Sequence, residues 1–148
     1  SPKSEFASFD NGSEMSAPKT AGTVTVEGKT NSSKLTFAWA GSVTDVTLPA
    51  KYSANGTQIN NAATITGDPG ATAEFPFSIE LEFPKNDTIE EVVRTLKVTA
   101  NGGQAAQIAI KQAAGDATLS VSPAEITIPQ SGSAVSVNVT SNTSWTAA

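Results

Sequence analysis

Residues 74–83 read EFPFSIELEF, and the side chains alternate without a fault. Phe75, Phe77, Ile79, Leu81 and Phe83 fall on one side of an extended chain, against Glu74, Pro76, Ser78, Glu80 and Glu82 on the other. Successive side chains of a strand point to opposite faces, so this stretch has one face for a core and one for water. That is the pattern of an antiparallel sheet packed on one side only. Pro76 has no amide hydrogen, which predicts an edge position or pairing that begins only after it.

Shorter segments repeat the theme. In TVTVEG (23–28) Val24 and Val26 share a side, and in KLTFAWAG (34–41) Leu35, Phe37 and Trp39 do the same. VTDVTLP (43–49) predicts a strand centred on Val46 and Leu48, and AATITGDPG (62–70) another, closed by a Gly-Asp-Pro-Gly turn signal. In RTLKVTANGGQAAQIAIKQ (94–112), Leu96 and Val98 alternate up to Asn-Gly-Gly and Ile108 and Ile110 resume beyond it, a β-hairpin. Helical periodicity is absent; TIEEVVR (88–94) has room for one helical turn. Residues 1–21 keep no period, since Pro, Ser, Gly and Asn break every apolar pair, and they are expected to be a tether on which Phe6 and Phe9 are the surface anchors. Residues 22–114 then hold about seven or eight short strands, which predicts an immunoglobulin-like antiparallel β-sandwich.

Composition removes whole classes of chemistry. With no His and no Cys, the chain lacks the usual general base, thiolate nucleophiles, disulfides and the commonest metal ligands. A net charge of -5 with nine basic residues is wrong for nucleic acid and for anionic membranes. No apolar run reaches the ~18 residues of a membrane span. No catalysis and no cofactor are expected. Glu80 and Glu82 read as the wet side of a strand, Glu90 and Glu91 as a polar connection, and DNGSE (10–14) lacks the full spacing of a calcium loop.

After KQAAGD the pattern restarts in TLSVSPAEITIPQSGSAVSVNVTSNTSWTAA, where Leu119 and Val121, Ile126 and Ile128, and Val135, Val137 and Val139 mark three alternating strands. LSVSP at 119–123, a Gly-centred turn at 131–133 and VTSNTSWTA at 139–147 resemble the N-terminal half of a BACON domain. This is the Bacteroidetes-associated module named for suspected carbohydrate binding. The ending of the first unit is similar to the closing hairpin of family members, so residues 22–114 look like a diverged copy. The resemblance implies a domain order of tether (1–21), sandwich (22–114), linker (115–118) and the truncated N-terminal half of a second sandwich (119–148). It also implies tandem modules of a secreted or surface-anchored protein, with an outer-membrane lipoprotein as the expected setting. Three apolar strand faces in about 30 residues need cover, which predicts strand pairing of residues 119–140 with the first sandwich or with a second copy, as in a strand-exchanged homodimer.

Carbohydrate sites stack a sugar on an exposed aromatic ring. Trp39 shares its face with Leu35 and Phe37, a core position, and Trp145 stands where the family has a Trp. Tyr52, in the polar stretch PAKYSANGTQINN (49–61), is the candidate sugar contact. Asp87-Thr88-Ile89 matches the Asp-Ser/Thr-aliphatic pattern of O-glycosylation in exported Bacteroidetes proteins, making Thr88 a candidate site. The expected role is a non-catalytic spacer or interaction module whose partner is a polysaccharide or another surface protein. The alternatives are a carbohydrate-binding module and an adhesin or assembly component using strand complementation.

Overall fold

The computed structural model describes residues 4–65, 73–122 and 138–141, and among these there are strands and no helix. Nine strands make two facing sheets: β1 (Ala7–Phe9), β2 (Glu14–Ala17), β3 (Gly22–Thr30), β4 (Leu35–Trp39), β5 (Lys51–Ala54), β6 (Thr57–Asn60), β7 (Phe75–Phe83), β8 (Val92–Ala100) and β9 (Ala105–Gln112). One sheet has the order β1-β3-β7-β5-β6 and the other β2-β9-β8-β4. The result is an all-β sandwich. Its pairings are antiparallel except β2 with β9, which is parallel.

Alternation builds the core as the sequence predicts. Val24, Val26, Phe77, Ile79, Leu81 and Phe83 from one sheet meet Leu35, Phe37, Leu96, Val98, Ile108 and Ile110 from the other, all buried. An aromatic chain crosses this space: Phe9 stands edge-on to Phe77 at 6.0 Å, Phe77 to Phe37 at 5.7 Å, and Phe37 tilts on Tyr52 at 4.9 Å. Such edge and tilted contacts suit the ring quadrupoles and add to the area they bury. The β8–β9 hairpin is as expected, turning at residues 101–104 with Gly102 and Gly103 at positive φ.

Several expectations are corrected. Residues 4–21 are not a tether. β1 pairs with β3, β2 crosses to pair with β9, and Phe9 enters the core, so this segment staples both sheets. Side chains fix it: Phe6 N–H donates to Asn31 Oδ1 at 2.8 Å and Thr30 Oγ1 donates to the Phe6 carbonyl at 2.6 Å. The Glu5 carboxylate accepts from Ser33 and Asn101. The sandwich therefore runs from β1 to β9, wider than residues 22–114.

The strand expected at 43–49 is a loop; of the stretch expected at 62–70, residues 62–65 hold an isolated bridge, Lys34 with Thr64, and residues 66–70 with their expected turn lie outside the described residues. The loop still contributes a buried Val46. The expected helical turn at 88–94 gives way to a loop followed by β8.

β7 is interior rather than an edge strand, lying between β3 and β5, but on the β5 side its pairing begins only after Pro76, the other expected outcome. Pro76 is tolerated because its missing donor faces β5, where that strand has already ended. The Asn55 N–H of the turn instead donates to the Pro76 carbonyl at 2.8 Å.

Finally, residues 119–122 and 138–141 form β10 (Leu119–Ser122) and β11 (Asn138–Ser141), which pair antiparallel with each other. The expected strand at 126–128 lies outside the described residues.

Candidate functional site

The stretch 49–61, expected as a polar loop, is a tight hairpin. Asn55 and Gly56 take φ of 49° and 81°, the positive pair that a two-residue turn between twisted strands requires. Asn-Gly flanked by Tyr52-x-Ala54 and Ile59 carried this signal in the sequence. β5 and β6 pair from Lys51–Asn60 to Ala54–Thr57. Below them Asn61 covers the open edge of β4, its side chain accepting from Phe37 N–H at 2.8 Å and donating to the Phe37 carbonyl at 3.0 Å.

β5 meets β7 for only two residue pairs, Ser53–Ser78 and Ala54–Phe77. Continued in register, the ladder would set Lys51 against Glu80 and Pro49 against Glu82. Pro49 has no N–H to give Glu82, so the last bond of that ladder cannot form. Ala50 is held on the other side, its carbonyl accepting from Asn61 N–H at 2.9 Å. The two strands diverge, and a half-open groove of about 580 Å³ lies between them.

The groove is lined by residues 49–53, Gln58, Ser78, Glu80 and Glu82. Glu80 and Glu82 are exposed on the outer face of β7, with Lys51 and Gln58 exposed on the facing wall. Thr23 Oγ1 on β3 donates to Glu82 Oε1 at 2.5 Å and steadies that carboxylate. The glutamates that read as a plain wet face are therefore one wall of a cleft. Alternation placed them outside, but only the parting of β5 from β7 beyond Ser53 makes that face concave.

Tyr52, the candidate sugar contact, is corrected. It is 2 % exposed, with its ring in the core against Phe37. Its position faces inward in β5 because it alternates with Lys51 and Ser53. Among the described residues its hydroxyl has no hydrogen-bond partner. Burial pushes the phenol up to about 12; the Leu35 backbone lies near enough to lower it slightly without reaching hydrogen-bond geometry. Trp39 is half-buried against the core and donates Nε1–H to the Val46 carbonyl at 3.0 Å, a structural tie for the 40–50 loop. Trp145 lies outside the described residues.

Thr88 is exposed in the loop before β8. Its hydroxyl donates to Asn86 Oδ1 at 2.6 Å, while Asn86 Nδ2 donates to the carbonyls of Glu90 and Ala113. This places Thr88 on a pinned loop far from Tyr52 in the chain and outside the groove lining. Glu90 is exposed in the same loop and Glu91 exposed beside it.

One charged cluster was not legible. Arg94 sits on the inner face of β8 with a side chain only 5 % exposed, its guanidinium over the Phe83 ring at 4.7 Å. It donates to both Asp45 oxygens, at 3.0 and 2.6 Å, and to Gln112 Oε1 at 2.9 Å. The Arg94 hydrogen bonds hold the Asp45 carboxyl below the usual carboxylate range. The partners stand 49 and 18 residues away in sequence, and no local pattern links them. The cluster anchors the 40–50 loop; it faces no cavity lining described above.

Together these features define an all-β sandwich with a polar groove on its five-stranded sheet. No protein-family model matches the chain, and no curated protein matches it.

Proposed function

We propose that the chain is a non-catalytic, immunoglobulin-like interaction and spacer module of a secreted or surface-anchored protein, as the BACON resemblance implies. The strand order supports the immunoglobulin-like reading: the N-terminal segment is shared between the sheets, as β1 on β3 and β2 alongside β9. The observation that carries the functional reading is the groove itself, polar along its rim and without a ring presented to solvent. Sugars bind by laying their apolar face on an exposed aromatic, and the only aromatic of the lining, Tyr52, is turned into the core. A close-packed sandwich whose first two strands are tied into opposite sheets is also stiff, as a spacer must be. Affinity electrophoresis of the intact chain through gels carrying soluble polysaccharides tests the reading. Mobility equal to that in a plain gel is expected. Retardation that Gln58→Ala abolishes would instead install the carbohydrate-binding alternative.

A further inference from the structure

Among the described residues, the backbone of β7 is paired along one side and only in part along the other. β3 pairs with it from Phe75 to Phe83, while β5 reaches only Phe77 and Ser78. In an antiparallel ladder alternate residues turn both backbone groups toward one neighbour. The Asn55–Pro76 bond fixes the parity, so residues 76, 78, 80 and 82 face β5. By the same count, the Ala50–Asn61 bond turns Ala50 toward β6 and Lys51 toward β7. Glu80, Glu82 and Lys51 thus direct N–H and C=O groups into the groove, beyond the last ladder pair.

We propose that this groove receives a short extended segment of a basic partner protein by strand addition. The segment pairs with the open backbone of Glu80 and Glu82 and sets Lys or Arg side chains against their carboxylates. Main-chain hydrogen bonds supply the binding and alternate side chains the selectivity. The charge pattern favours a cationic strand: Glu80 and Glu82 stand two residues apart on one exposed face, the same period as the side chains of an incoming strand. The chain's net charge of -5 steers such a partner in, while Lys51 on the facing wall keeps its basic residues on the β7 side. This proposal rests on the interaction-module reading and names the partner of its groove.

The test is a nitrogen-15 NMR titration of the full 148-residue chain with the acetylated hexapeptide Lys-Thr-Lys-Val-Lys-Thr. Shifts at the amides of Lys51, Glu80 and Glu82 are expected, with slowed hydrogen exchange at the two glutamates. Glu80→Lys is expected to weaken binding at least tenfold without moving the Leu96 and Ile108 amides, which report the fold. Three results overturn the proposal: a peptide with Glu in place of Lys binding equally well, shifts confined to other residues, or no shifts at all. Any of these leaves the module reading standing if gel mobility is unaltered. A polysaccharide that moves the groove amides overturns both.

Discussion

Two buried polar side chains at the residue scale behave in opposite ways. The Tyr52 hydroxyl is buried and unpartnered among the described residues, and such a group costs its hydration without a return. Tyr52→Phe is therefore expected to be neutral or to stabilise the fold by up to about 1 kcal/mol, read as an unchanged or higher urea midpoint. Arg94 is fully engaged. Arg94→Ala removes the buried stem, its hold on Asp45 and the donor to Gln112 Oε1. Asp45, 52 % exposed, regains water, but Gln112 does not, because it is buried. A loss of about 3 kcal/mol in urea denaturation is expected, with Arg94→Lys recovering little because an ammonium cannot fork to both partners.

At the scale of elements, the N-terminal segment depends on one glycine. Gly28 in β3 lies under the edge of Phe77 and beside β1; a Cβ there would come 2.2 Å from the Ser8 carbonyl and 2.3 Å from the Phe77 ring. The ring fills the space a side chain would take, and Phe9 packs on that ring in turn. Gly28→Ala is expected to cost about 3 kcal/mol by forcing β1 or Phe77 aside. Amide exchange should show the loss first in residues 7–9, which pair with β3 at this point. If the segment were a tether, the substitution would leave those amides unchanged. The groove belongs to the same scale: it exists because β5 parts from β7 before Ser53, leaving Lys51 and Glu80 without the pairing their register would give.

Across the whole molecule, stability depends on acid through several paired carboxylates. The Ser33 backbone N–H holds Glu5 below its ordinary 4.5, the Arg94 hydrogen bonds hold Asp45 below 3.8, and Lys111 and Lys19 do the same for Glu14 and Asp116. A group whose pKa is lower in the folded state binds its proton more readily when unfolded, so each contribution is present above the ordinary value and lost as pH falls below it. Urea midpoints are expected to be flat from about pH 6 to 8 and to decline below about pH 4.5. Glu5→Gln should lower the plateau and flatten part of that decline, because the contact with Ser33 and Asn101 then carries no titrating group. Exposure of Glu14 and Asp116 keeps their share small.

Local pattern reached the strands and stopped at their neighbours. Alternation in residues 74–83 and 94–112 is a property of the chain alone, so the all-β class, the inward rows of β7, β8 and β9 and their hairpin were legible. Glu80 and Glu82 were legible as outward residues for the same reason. Residues 4–17 carry no such pattern, since their two short strands are held by different sheets and Glu5 and Phe6 by residues 30–33 and 101. Tyr52 looked polar because its neighbours are; its burial was decided by the β5–β6 pairing and by Phe37 on the opposite sheet. The groove was decided the same way, by which strand lies beside β7 and where it ends. Side-chain period is written in consecutive residues, whereas strand neighbours are chosen by contacts between segments far apart in the chain.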